Sequence, residues 1–172
     1  MKIRSLSHVG ITVSDFEKSV KWYHDMFGFR LISEDYFNND ELEKLYSLYK
    51  LKDVHVHLGF LRVPKGGVVE IFEFSSSLPG QQVIWNTPGV THFTLDVKNV
   101  HKWYNRLREK GVYFFSEPQH SDEADWVFLK DRDGNLIELI DLKVNYPVIR
   151  YLGGIAGEIM AKNKFKRYYS EG

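Results

Sequence analysis

The sequence predicts an α+β fold built from two βαβββ modules in tandem, and three observations carry that expectation. The chain matches itself in three ungapped pieces, the pieces keep the same order, and strand-type and helix-type patterns fall in the same places in both copies. "HVGITV" (8–13) lies against "HFTLDV" (92–97), and "GFRLISE" (28–34) against "GVYFFSE" (111–117). "HLGFLRVPKGGVVEIFEF" (57–74) lies against "DWVFLKDRDGNLIELIDL" (125–142). Self-similarity of this size marks a repeated supersecondary unit. The modules are placed at 3–75 and 89–143, within a single domain of residues 1–143.

The elements follow in order. In the first strand His8, Gly10 and Thr12 share one face and Val9, Ile11 and Val13 the other, as in a half-buried strand. Ser14 with Glu17 three residues on reads as a capping box that opens a helix. Phe16, Val20, Tyr23 and Phe27 form its apolar stripe, and Gly28 closes it in the left-handed position. The second module repeats this with Val100, Trp103 and Leu107, closed by Gly111. The last two strands of each module form a hairpin around "PKGG" or "RDGN". An insertion at about 35–56 carries a short helical pattern in Leu42, Leu45 and Leu48/Tyr49. Residues 144–172 belong to neither module and are expected to be a helical extension.

Composition narrows the function. Lys and Arg number 23 and Asp and Glu 23, so no bulk field favours nucleic acid or an anionic membrane. The chain has no cysteine, which removes disulfides, thiolate catalysis and cysteine metal ligands. No segment approaches the apolar length of a membrane span or a signal peptide, so a cytoplasmic protein without a membrane partner is expected.

The residues that carry chemistry are paired. His8 and His92 occupy equivalent first-strand positions, and Glu70 and Glu138 equivalent last-strand positions. A single strand histidine or glutamate is ordinarily a hydrogen-bonded or solvated residue. A doubled His…Glu pair at matching positions instead suggests two imidazoles and two carboxylates around one divalent ion: zinc, nickel, iron, manganese or cobalt. Strand parity agrees, because Val69, Ile71, Ile137 and Leu139 are then the helix-facing core and both acids lie on the opposite, concave side. His55 and His57 have no twin and are expected at the surface or rim. His24, His101 and His120 read as ordinary exposed or helix positions.

"SHVGITVSDFEKSVKWYHDMFGF", "THFTLDVKNVHKWYNRLREKGV" and "DRDGNLIELID" resemble the vicinal oxygen chelate superfamily, which includes glyoxalase I, methylmalonyl-CoA epimerase, extradiol dioxygenases and fosfomycin- and bleomycin-resistance proteins. The resemblance covers residues 3 to 143. It implies an open barrel with a concave metal-binding face, and a glyoxalase I-like ligand set of His8, Glu70, His92 and Glu138. Epimerases usually have Gln where Glu70 stands, and extradiol and fosfomycin-modifying members use three ligands, so the set leans to the lyase and isomerase branch. The Arg and Asn that grip glutathione in glyoxalase I correspond here to Thr12 and Phe74, which makes glutathione use doubtful.

The implied reaction is proton transfer next to a carbonyl through a metal-bound enediolate on a small-molecule substrate. Glu138 is expected as base, with Glu70 as ligand or partner base. Thr12, Phe72, Phe74, Trp126 and Phe128 are candidates for the substrate pocket by parity, and Arg62 for an anionic group. An iron-dependent extradiol dioxygenase and a non-catalytic small-molecule or antibiotic-binding protein are the alternatives. A homodimer is expected, with Ile155, Ile159 and Phe165 of the extension as apolar contact points.

Overall fold

The computed structural model describes residues 3–80 and 82–169. The first module runs β1 (His8–Thr12), α1 (Phe16–Phe27), β2 (Arg30–Phe37), α2 (Asn39–Glu43), α3 (Tyr46–Tyr49), β3 (Val56–Arg62) and β4 (Val68–Phe74). The second runs β5 (Phe93–Asp96), α4 (Val100–Glu109), β6 (Gln119–His120), β7 (Asp125–Lys130) and β8 (Leu136–Asp141). Each forms a four-stranded sheet, in the orders β1-β4-β3-β2 and β5-β8-β7-β6. The mixed α+β architecture and the doubling expected from the repeat are both present. By internal contacts the chain divides into two compact units: residues to Phe93 with Lys130–Leu136, and Thr94–Leu129 with the chain from Ile137 onward.

In the first unit β1 runs parallel to β4 while β3 is antiparallel to both β2 and β4. The alternation of β4 divides its residues as expected. Val69 and Ile71 are buried, while Glu70, Phe72 and Phe74 are half-buried on the other face. Helix α1 contributes Phe16, Tyr23 and Phe27 to the core beside Val13, Leu61, Val69 and Ile71. Gly28 ends the helix at φ 73°, and its N–H donates to the His24 carbonyl. In the second unit Val100, Leu107, Val127, Leu129, Ile137 and Leu139 are buried.

Several expectations need correcting. Asp15 caps α1, not Ser14: the Asp15 carboxylate accepts the N–H of Lys18 at 2.9 Å. Ser14 instead directs its N–H and hydroxyl to the carboxylate of Asp133. A capping box does occur, at Asn38 and Glu41 of α2. In the second module residues 111–117 form no strand; they join the sheet by one bridge, Phe114 to Leu129, and the strand β6 begins after Pro118. Proline supplies no N–H to a ladder and restricts the residue before it, so regular pairing starts only beyond it.

His57 is not at the rim. Its ring lies between Phe16, at a centroid distance of 3.5 Å, and Tyr36, at 4.0 Å, with 8 % of the residue exposed. The insertion folds into α2 and α3, but only Leu42 of the expected stripe is buried, and Leu45 and Leu48 stay exposed. The extension forms α5 (Asn145–Pro147), a π-helical turn over Val148–Leu152, and α6 (Gly153–Lys162), with Ile155, Ile159 and Phe165 exposed. Residues 170–172 of the extension lie outside the described residues. No described helix is long and apolar enough to cross a membrane.

Candidate functional site

The parallel register sets Gly10 of β1 against Glu70 of β4 and Thr12 against Phe72. A strand histidine two residues before Gly10 therefore reaches the same face as Glu70. His8 Nε2 lies 3.1 Å from Glu70 Oε2. The His8 side chain is 40 % exposed and that of Glu70 15 %, so the pair opens to solvent from its imidazole side. The His8 ring stacks on Phe60 of β3 at a centroid distance of 5.6 Å, and its Nδ1 is 3.2 Å from the Ser7 hydroxyl. Gly10 keeps this surface open, because a Cβ there would sit 3.2 Å from Phe72 Cε2 and 3.9 Å from Glu70 Oε2.

The second module solves the same position differently. Thr94 is the counterpart of Gly10, and its hydroxyl donates to Glu138 Oε2 at 2.8 Å. His92 has its Nδ1 2.8 Å from the Thr91 hydroxyl and its ring 5.7 Å from that of Trp85. His92 also lies on the wall of a cleft of about 590 Å³ in the first unit, together with Ile11, Ser14, Val83, Asp133 and Asn135.

Of the four expected ligands, His8 and Glu70 meet, while Glu138 and His92 have the partners just named. Among the described residues no three His, Asp or Glu side chains are grouped as a ready metal site. An imidazole nitrogen beside a carboxylate oxygen, both reachable from one side, is the donor chemistry that divalent transition ions take. The pair His8–Glu70 therefore fits two ligands of such an ion.

Among the expected pocket residues, Phe72 and Phe74 lie on the face of Glu70, and Thr12 is exposed on β1. Trp126 and Phe128 are half-buried on β7. Arg62 is exposed and donates its Nη1 to the carbonyl of Gly67, 2.8 Å away in the β3–β4 turn. Sequence reasoning passed over Gly10, Thr94 and Phe60. The Gly10/Thr94 pairing was visible in the repeat, whereas the Phe60 contact depends on register.

The family model described as "Glyoxalase/Bleomycin resistance protein/Dioxygenase superfamily" matches residues 5–139. The chain belongs to this superfamily. It is 28 % identical over 144 residues to the Bacillus subtilis protein YwkD, covering 82 % of this chain and 99 % of that one. It is 26 % identical over 153 residues to lactoylglutathione lyase of Schizosaccharomyces pombe, covering 86 % of this chain and 50 % of the relative, so it spans half that enzyme's length. A glyoxalase family protein from Bacillus cereus superposes with a TM-score of 0.67 at 17 % identity, over 82 % of this chain and 95 % of that one. The fosfomycin resistance protein FosX from Listeria monocytogenes superposes with a TM-score of 0.54 at 19 % identity, over 87 % of this chain and all of FosX. At these identities the solved structures establish the superfamily's fold for this chain.

Proposed function

We propose that the chain is a divalent-metal-dependent lyase or isomerase that moves a proton next to a carbonyl of a small-molecule substrate. The observation that supports this most is the approach of His8 to Glu70 within 3.1 Å, at positions whose twins are His92 and Glu138. His8, Glu70, His92 and Glu138 hold the ion in this reading. When bound, it acts as a Lewis acid on two adjacent substrate oxygens and stabilises the charge that proton removal creates. The relative that is a lactoylglutathione lyase supports the reaction class. Thr12 and Phe74 offer no charge to a glutathione carboxylate, so the reading keeps the proton transfer and leaves out glutathione.

The two carboxylates divide the work because their neighbours differ. Glu70 has His8 beside it and Phe72 along its strand, which suits a fixed ligand. Glu138 accepts from the Thr94 hydroxyl, a donor that orients one carboxylate oxygen. Glu138 then takes the proton from the carbon beside the carbonyl and returns it to the neighbouring carbon. Trp126 and Phe128 wall the pocket, and the working protein is a homodimer in the cytoplasm.

The test is solvent exchange. Hemithioacetals of small 2-oxoaldehydes, made with 2-mercaptoethanol, are given to the metal-loaded protein in D2O and followed by NMR. Deuterium entering at the carbon next to the carbonyl is expected. Oxygen-dependent ring cleavage of catechol without exchange would contradict the reading. Thr94→Val should slow exchange about ten-fold, the kinetic equivalent of a charge-assisted hydrogen bond worth about 1.5 kcal/mol. Metal content should not change in that variant.

A further inference from the structure

The extension carries an apolar surface that stays open to water. All described residues from 147 to 169 are exposed or half-buried. Leu152, Ile155 and Ile159 are each more than half exposed and follow one another at helical spacing. They therefore share one face of α6, and Met160 adds to its edge. Little within the helix itself accounts for its stability. It starts from Leu152 without a side-chain cap, and Gly153, Gly154 and Gly157 favour the unfolded chain. A helix this short is marginal in water unless its apolar face is covered.

The charge changes where α6 ends. The whole chain balances 23 basic against 23 acidic residues, yet Lys162, Lys164, Lys166 and Arg167 fall within six residues that contain no acid. Exposed rings are interleaved with them: Phe165, Tyr168 and Tyr169. Lys164 Nζ lies 5.5 Å from the centroid of the Phe165 ring, and the Arg167 guanidinium 4.7 Å from that of Tyr168. Arg167 also donates to the Tyr168 hydroxyl at 2.7 Å.

An anionic bilayer surface complements all three features at once. Acyl carbon covers the apolar face, the headgroup level takes the amphipathic rings, and lipid phosphates and carboxylates meet the cations. The extension of a second copy would cover the apolar face but bring only further cations to this basic run. Nucleic acid would meet the cations and rings but leave the apolar face in water.

We propose that α6 and the basic run 162–167 dock the protein on an anionic lipid surface. The ten residues of α6 span about 15 Å, half the thickness of a hydrocarbon core, so the helix lies in the interface and does not cross it. The charge balance of the whole chain, which pointed away from a membrane, hides this local excess. The proposal is independent of the metal-site reading.

Cosedimentation of the full chain with two kinds of vesicle tests it: phosphatidylcholine alone, and phosphatidylcholine with about 30 % phosphatidylserine. Binding on the order of 100-fold tighter to the anionic vesicles is expected. Lys164→Ser combined with Lys166→Ser should cut that preference roughly 30-fold. Ile155→Ser combined with Ile159→Ser should weaken anionic-vesicle binding at least about 10-fold. Neither pair should move the thermal midpoint, because none of the four side chains is buried. No binding to anionic vesicles, or equal binding to both kinds, would overturn the proposal. Binding that the isoleucine pair leaves unchanged would reduce the contact to charge alone and overturn it too. Dissociation of a dimer by the isoleucine pair, read by sedimentation equilibrium without vesicles, would assign the face to a second copy instead.

Discussion

Glu138→Gln should lower the rate of solvent deuterium exchange by about 10²- to 10⁴-fold, the usual contribution of a positioned general base. Glutamine keeps the length of the side chain and an oxygen that accepts from Thr94, so the hydrogen bond at 2.8 Å and the fold should survive. What disappears is the basic carboxylate. Glu70→Gln is the informative comparison. In the proposed division of roles Glu70 is a ligand held beside His8, so its loss should act first on metal affinity and be partly recovered by excess metal. Exchange in Glu138→Gln at the normal rate would assign the base elsewhere. A larger, metal-independent loss in Glu70→Gln would reverse the two roles.

Asp131→Ala should cost about 3 kcal/mol of stability, read as a lower urea midpoint at constant slope. Asp131 is only 6 % exposed, yet four donors converge on it. The Tyr23 hydroxyl donates at 2.7 Å, the Asn135 amide side chain at 2.9 Å, and the N–H groups of Asn135 and Asp133 at 2.8 and 2.9 Å. Alanine would strand the Tyr23 hydroxyl, whose residue is fully buried. The same Asn135 side chain also donates to the Thr12 carbonyl at 3.0 Å, which ties the turn to the end of β1. Tyr23→Phe removes one donor and leaves three on the carboxylate, so about 1.5 kcal/mol is expected. An Asp131→Ala protein within about 0.5 kcal/mol of the unmodified one would contradict this account.

Both partners also titrate abnormally, in a direction that fixes the pH dependence. Burial, and then the charge of Asp131, push the Tyr23 phenol well above its ordinary value. The folded chain therefore holds this proton more tightly than the unfolded chain, and the associated stability is lost as pH rises above the ordinary tyrosine range. Tyr23→Phe should flatten that alkaline loss. Burial likewise raises Asp131 above the usual carboxylate value, despite its hydrogen bonds. Its contribution is present below the ordinary carboxylate value and is lost as pH rises through the raised folded value.

The doubled architecture was legible because strand parity and repeat alignment are local. His8 and Glu70 shared a face in the sequence pattern, and Val69, Ile71, Ile137 and Leu139 are buried as the alternation requires. What sequence could not supply came from contacts distant along the chain. Ser14 looked like a helix cap until Asp133, 119 residues away, took its hydroxyl. His57 looked like a rim residue because neither Phe16 nor Tyr36 is a sequence neighbour, yet their rings enclose it. The site shows the same limit. The pairing of Gly10 with Thr94 could be read from the repeat, but the Thr94 hydroxyl's bond to Glu138 needed coordinates.

In the proposed function His8, Glu70, His92 and Glu138, two from each repeated module, hold one divalent ion. Elemental analysis of protein purified without added metal tests it most directly, alongside His8→Ala, Glu70→Ala, His92→Ala and Glu138→Ala. A divalent transition ion in fixed ratio to the chain is expected, with the ratio falling sharply in each of the four variants. Full retention of metal in His92→Ala and Glu138→Ala, or no metal bound under any loading condition, would contradict it.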